Sequence, residues 1–202
     1  MFAQILSKIL AEIRKTAFWL ALFAFLLPLS AKAAGFMIVF AVFAHFLNSE
    51  NRKPFRLITP PLLYFLAYLA SVFYSETAGS LHYALESRLP FVVFPLLFGA
   101  SLLSQQQIEN ILKAFWLGLS VAIMSSETWA CVRYWNEART EYFFYLDLTN
   151  LLDFHPTYFS WYVCFGFFSG LVYLHKKWDE QSFFLKIMGI LWLLSLATFN
   201  VF

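Results

Sequence analysis

Residues Ala17 to Ser30 read AFWLALFAFLLPLS, and after Ala31-Lys32-Ala33-Ala34 a second apolar run, GFMIVFAVFAHFL, fills Gly35 to Leu47. Two apolar runs this close together, joined by a short linker with one charge, predict a helical hairpin that crosses a membrane and returns. The same opening fits another description. Lys8, Arg14 and Lys15 precede the first run, and Ala31-Lys32-Ala33 matches the small-x-small site of a signal peptide cleaved within residues 1–33. A chain that turns apolar again at once does not need a cleaved leader, so the hairpin is the working expectation, with the cleaved leader open beside it.

The rest of the chain repeats the pattern. Five further apolar segments follow, at about Leu57–Tyr74, Leu89–Leu103, Ile111–Ala130, Tyr158–Leu174 and Phe183–Phe202. Polar stretches separate them: NSENRKPFR (48–56), SETAGSLHYALESR (75–88), SQQQIEN (104–110), Arg133 to Thr157, and HKKWDE (175–180). Pro60-Pro61 falls in the first turn of the third span, where proline is tolerated. Pro90 and Pro95 interrupt the fourth, and Pro95 is expected to kink it. The fold class is therefore all-α: a polytopic transmembrane bundle of about seven spans (17–30, 35–47, 57–74, 89–103, 111–130, 158–174 and 183–202) forming one domain over residues 1–202.

Composition agrees. Of 202 residues, 61% are hydrophobic and 13% charged, whereas soluble domains carry about 25% charged residues. Mean hydropathy is +0.67. A water-soluble fold of this size could not bury so much apolar surface. The formal net charge of +2 is too small to point to nucleic acid.

Charge placement sets the orientation. With the N-terminus in the cytoplasm, Lys8, Arg14, Lys15, Arg52, Lys53, Arg56, Lys113, Lys176, Lys177 and Lys186 lie inside, and Lys32, Arg88, Arg133 and Arg139 outside. Ten inside and four outside account for all 14 basic residues, a clear positive-inside bias. The segments 75–88 and 131–157 then face the periplasm of a Gram-negative cell. Within the second, YFFYLDLTNLL (142–152) is amphipathic and is expected to lie along the interface. Cys131 and Cys164 read as small buried hydrophobes, with a disulfide open because both fall near the outer face. The chain stops inside an apolar run, at ATFNVF (197–202), and is expected to be the front part of a longer protein.

Chemistry-bearing motifs are sparse. The histidines, at 45, 82, 155 and 175, have no zinc-ligand spacing, and neither a phosphate-binding glycine loop nor a nucleophile motif occurs, so no cofactor or metal is expected. The polar candidates gather on the outer side. Glu86 and Arg88 stand at the mouth of the fourth span, where a guanidinium can hold a diphosphate through paired hydrogen bonds or serve as an interfacial anchor paired with Glu86. The stretch Asp153-Phe154-His155-Pro156-Thr157-Tyr158 enters the sixth span. Pro156 suits a first helical turn, Asp153 or Thr157 its cap, and the helix N-terminus attracts anions. His155 there can donate to a phosphate, act as general base on a hydroxyl, or simply cap the helix at the interface. Arg133 and Arg139, with Glu137 and Glu141, read either as substrate contacts or as a solvated face. Glu127, a lone acid near the outer end of the fifth span, is a further candidate.

Three stretches carry a family likeness: Leu27-Pro28-Leu29-Ser30-Ala31-Lys32-Ala33; Leu85-Glu86-Ser87-Arg88-Leu89-Pro90-Phe91 with Phe94-Pro95-Leu96-Leu97-Phe98; and His155-Pro156-Thr157-Tyr158-Phe159-Ser160. In this order the chain resembles the O-antigen ligase and O-antigen polymerase-like membrane proteins of the Bacteroidetes type. The resemblance implies a GT-C-like glycosyltransferase in the bacterial inner (plasma) membrane. Its donor would be a glycan on undecaprenyl diphosphate, taken at the periplasmic face, and its acceptor lipid A-core or another glycan. It implies no metal, a base that activates the acceptor hydroxyl, and arginines that hold the leaving diphosphate. Arg88, His155, Glu86 and Arg139 are the substrate-binding candidates on this reading. The family's catalytic loop would follow residue 202, so the catalytic residues are unassigned and the chain alone is expected to be inactive. Two other functions stay open: a transporter or flippase for a lipid-linked substrate, which should show paired broken helices, and a non-catalytic membrane scaffold.

Overall fold

The computed structural model describes residues 15–47, 59–72, 89–94, 97 and 103–199. Every regular element among them is helical, in line with the all-α expectation. Helices α1 (Thr16–Leu26), α2 (Ala31–Leu47), α3 (Thr59–Val72), α4 (Pro90–Phe94), α5 (Gln105–Glu137), α6 (Tyr145–Thr149), α7 (Pro156–Lys176) and α8 (Phe183–Phe199) follow in that order. Two single 3-10 turns, Thr140–Phe143 and Asn150–Leu152, flank α6.

The hairpin between α1 and α2 is written in Leu27-Pro28-Leu29-Ser30. α1 stops before Pro28, which cannot donate to the helical ladder and restricts the residue before it. Ser30 then caps α2, its Oγ accepting from the Ala33 N–H at 3.3 Å. Pro60 and Pro61 lie in the first turn of α3, as their pattern predicts. Of the fourth expected span (89–103), residues 89–94, 97 and 103 are among the described residues. The Pro95 kink, Glu86, Arg88 and His82 lie outside them.

The fifth span needs correction. The sequence predicts a helix over 111–130 between polar segments, yet α5 runs from Gln105 to Glu137. Its start is fixed by a reciprocal capping box. The Ser104 N–H donates to Gln107 Oε1 at 2.8 Å, and the Gln107 N–H to Ser104 Oγ at 3.2 Å. Its end is marked by Ala138, whose φ of 53° leaves the helical region. At 1.5 Å per residue, 33 residues span about 50 Å, well beyond a hydrocarbon core of about 30 Å.

The chain packs as two compact units, one comprising residues 1–20 and 37–108, the other residues 21–36 and 109–202. In the first, Trp19 stacks on Phe40 with ring centroids 4.8 Å apart, and Leu20, Ala41 and Ala44 are buried. The second has a core of Ala24, Phe115, Leu119, Ala122, Ile123, Phe159, Val163 and Leu196. Small residues let its helices close up. Gly118 of α5 lies directly under the Phe25 carbonyl, and Gly166 lies under Leu119. Two hydrogen bonds tie α5 to its neighbours: Trp116 Nε1 donates to Ser169 Oγ at 3.0 Å, and Trp192 Nε1 to Ser120 Oγ at 2.8 Å.

The outward faces are apolar. On α7 they carry Tyr158, Trp161, Phe165 and Phe168, with Trp161 69% exposed. α5 and α7 are long and apolar enough to cross a membrane, and α1, α2, residues 60–71 of α3 and residues 185–196 of α8 are shorter apolar helices. Cys131 and Cys164 are free thiols in exposed positions, so the expectation of burial is corrected. Both fall on outward stripes of their helices rather than on the faces that meet in the core.

Candidate functional site

The polar candidates of the second unit form two groups, one at the end of α5 and one at the start of α7. The segment joining them, expected as an amphipathic interfacial loop, folds back in three short helical pieces. Tyr142 and Leu148 turn inward onto Ala130, while Phe144 and Leu151 face out.

At the end of α5, Arg133 is the hub. Its Nη2 donates to the Tyr142 hydroxyl at 3.2 Å and pairs with Glu137 Oε1, also at 3.2 Å. The Tyr142 hydroxyl in turn donates to Glu137 Oε2. The guanidinium carbon also stands 4.5 Å from the centroid of the Tyr142 ring and 5.7 Å from that of Trp129. The hydroxyl of Tyr142, more than the ion pair, holds the Glu137 carboxyl below its ordinary range and the Arg133 guanidinium above its own. These residues project beyond the apolar stretch of α5, where solvent weakens each charge pair.

At the start of α7 the cap is His155, a role the sequence left open for it, in place of Asp153 or Thr157. His155 is extended (φ −68°, ψ 132°), and its Nδ1 accepts from the Thr157 N–H at 3.4 Å. Pro156 occupies the first helical position and is buried. Asp153 adopts a left-handed backbone, φ 55°, and reaches Lys32 at 3.8 Å; both side chains are largely exposed. Phe154 anchors the turn by packing edge-on against Tyr162, 5.8 Å between centroids.

This geometry sorts the roles open to His155. An imidazole nitrogen that accepts a hydrogen bond has its lone pair engaged, so in the neutral ring the other nitrogen carries the hydrogen. Nε2 is therefore a donor. It stands at the positive end of a 21-residue helix whose first turn is already satisfied, since Pro156 has no N–H, Thr157 bonds to His155 Nδ1, and Tyr158 and Phe159 bond to the His155 carbonyl. The arrangement suits an oxyanion that receives hydrogen bonds, and it takes from His155 the role of base through Nδ1.

Of the four substrate-binding candidates, His155 and Arg139 are among the described residues. Arg139 is exposed, sits at the start of the first 3-10 turn without capping it, and acts on Glu137 through its charge. Glu127 lies on an exposed face of α5. His155 caps the start of α7 and His175 lies in its last turn, at the opposite end, while His45 lies in the last turn of α2. Sequence reasoning missed Tyr142 as the link between Arg133 and Glu137; the i,i+4 spacing of that pair was the available signal. No family model, curated protein or solved structure matches this chain.

Proposed function

We propose that this chain is a multi-pass protein of the bacterial inner membrane, with about seven spans and a cytoplasmic N-terminus. We propose further that it belongs to glycan assembly of the O-antigen ligase or polymerase kind, acting on a glycan carried by undecaprenyl diphosphate at the periplasmic face. The membrane reading is supported by the apolar faces that α5 and α7 turn outward, since soluble proteins rarely expose apolar patches of such extent. The orientation is supported by what the second unit gathers at each end. Lys32 and Asp153, both assigned outside, pair with each other; Lys113 and Tyr173, both assigned inside, meet with the ammonium 5.4 Å from the ring centroid.

The observation that carries the substrate reading is the donor arrangement at the start of α7. In glycan transfer an acceptor hydroxyl forms a bond to the anomeric carbon while the bond to diphosphate breaks. The hydroxyl proton goes to a base, and negative charge builds on the departing undecaprenyl diphosphate. Donors aimed at that charge stabilise the transition state. The Nε2–H of His155, at the positive end of α7, is such a donor, with the exposed Arg139 as a cationic complement.

The test uses the chain reconstituted in vesicles. Undecaprenyl diphosphate should bind at the outer end, and His155→Asn should weaken it about tenfold or more, the worth of one hydrogen bond to a charged group. Asparagine keeps the helix cap but has no donor at the Nε2 position. A cysteine replacing His155, in a Cys131→Ala, Cys164→Ala background, should react with an impermeant thiol reagent applied outside intact cells. Equal binding by wild type and His155→Asn would overturn the substrate reading, and protection of position 155 with labelling of a cysteine replacing Lys53 would invert the orientation.

A further inference from the structure

The second unit holds a cavity of about 400 Å³ that the outer-end site does not use. Lys113 and Trp116 of α5, Gly170 and Tyr173 of α7, and Met188 and Trp192 of α8 are among its lining residues. It lies at the far end of α7 from His155, since 14 residues of helix separate Pro156 from Gly170, about 21 Å at 1.5 Å per residue.

Two glycines in its walls let the neighbouring tryptophan and leucine side chains close up around it. Gly170 and Gly189 line it, and a Cβ added at Gly170 would come 2.6 Å from Trp192 Cζ3. Both indole N–H groups are already bonded, Trp116 to Ser169 and Trp192 to Ser120. The indoles therefore offer carbon surfaces to an occupant, and the walls are mostly apolar. The polar groups of the lining are the Lys113 ammonium, Gln181 and the Tyr173 hydroxyl.

Charge at this end is mixed but leans positive. Lys113, Lys176, Lys177 and Lys186 gather here with His175, against Glu109, Asp179 and Glu180. Lys177 is paired with Glu180 at 2.7 Å. Lys113 stands over Tyr173, and Lys186 over Trp178, at 4.9 Å. Aromatic rings hold these two cations without neutralising them. An apolar slot with a cation at its mouth complements an amphiphile with one anionic head and an apolar tail. Its volume falls within the range of about 300–1,000 Å³ typical of small-ligand sites, and basic pockets between membrane helices on the cytoplasmic side hold anionic lipid head groups.

We infer that this cavity takes one acyl chain of an anionic phospholipid of the cytoplasmic leaflet, with the phosphate on Lys113. The inference rests on the membrane reading above. To test it, the chain is reconstituted in phosphatidylcholine vesicles containing phosphatidylglycerol, with brominated acyl chains on one lipid or the other, and tryptophan quenching is read. Brominated phosphatidylglycerol should quench more strongly than brominated phosphatidylcholine, with an apparent preference of about fivefold for one lysine near the surface. Lys113→Gln should remove that preference, and Lys32→Gln, at the other end, should leave it intact. Equal quenching by both lipids in the wild type, or an undiminished preference in Lys113→Gln, would overturn the inference. So would self-association of the chain without lipid preference, which would assign the slot to a second copy. An alkaline wash separates this failure from failure of the membrane reading, because only a chain that does not span the bilayer is released.

Discussion

Gly118→Ala adds one methyl group where α5 passes under the turn that closes the first hairpin. A Cβ at Gly118 would overlap the Phe25 carbonyl oxygen and lie 2.8 Å from its carbon and 3.0 Å from its Cα. These are backbone atoms, so no rotamer change relieves the overlap and the helices must separate. Separation loosens the core that Ala24, Leu119 and Ala122 share. Overpacking of this kind costs about 1–3 kcal/mol. Alanine's helix propensity returns up to about 1 kcal/mol, and Gly35→Ala provides the measure of that return. Gly35 also sits within a helix, and a Cβ there meets nothing within 4 Å. The propensity gain is common to both variants, so the stability gap between them isolates the packing cost. That gap should be about 1–3 kcal/mol, roughly a 5- to 150-fold difference in the unfolding equilibrium at about 1.4 kcal/mol per decade. Denaturation by sodium dodecyl sulfate from mild detergent micelles, followed by tryptophan fluorescence, measures it. Equal stability of Gly118→Ala and Gly35→Ala would refute the close crossing of α1 and α5, and with it the packing of the second unit.

Tyr142→Phe removes the hydroxyl that holds the Glu137 carboxyl low and should return its titration toward the ordinary carboxylate range. Because the folded group titrates below the unfolded one, its contribution is complete above that range and fades as pH falls through the folded value. Amide exchange of residues 138–155, corrected for intrinsic rates, should therefore rise on acidification in the wild type and change less in Tyr142→Phe; identical profiles would sink the idea. Ser104→Ala should fray the first turn of α5 at a cost of about 1 kcal/mol, seen as faster exchange at 105–108, with Ser104→Asp restoring it. No change in exchange would show that the capping box does not set the start of α5.

Apolar runs made the helices legible. α1, α2, α3, α7 and α8 begin and end within a few residues of the expected spans, because proline, serine and charge punctuate them. α5 escaped this reading for a physical reason. Its ends, QQQIEN and RYWNE, are polar but helix-compatible, and hydropathy registers the membrane rather than the helix. The capping box at Ser104 and Gln107 was present in the sequence, and weighing it would have moved the start of α5 to the observed place. The cap at His155 was one of three roles that the sequence left open. Histidine is not among the favoured capping residues, and the extended backbone and the acceptor at Nδ1 decide for it. The network around Tyr142 depends on how 138–155 folds back, which no local pattern encodes. The two thiols were misjudged because an apolar neighbourhood in sequence does not say which face of an apolar helix a residue takes.

The basic residues of the second unit are treated differently at its two ends, and this bears on orientation as well as on lipid. At the proposed outer end, Lys32 has Asp153 and Arg133 has Glu137 as acidic partners, and Arg139 acts on Glu137. At the proposed inner end, Lys113 and Lys186 rest on tyrosine and tryptophan rings, and Lys177 is the lysine held by an acid within the adjoining turn. A cation on an aromatic face keeps its charge for another partner, whereas one paired with a carboxylate has much of its field cancelled. Anionic lipid enriches the cytoplasmic leaflet, and a retained positive charge is worth about 1 kcal/mol per residue there. On the proposed orientation, the cations of the second unit that rest on aromatic rings lie where a negatively charged membrane surface would meet them. On the proposed reading, the acidic partners at the outer end leave the Nε2–H of His155 as its directed donor, which suits a substrate recognised by a hydrogen bond to a diphosphate as much as by charge.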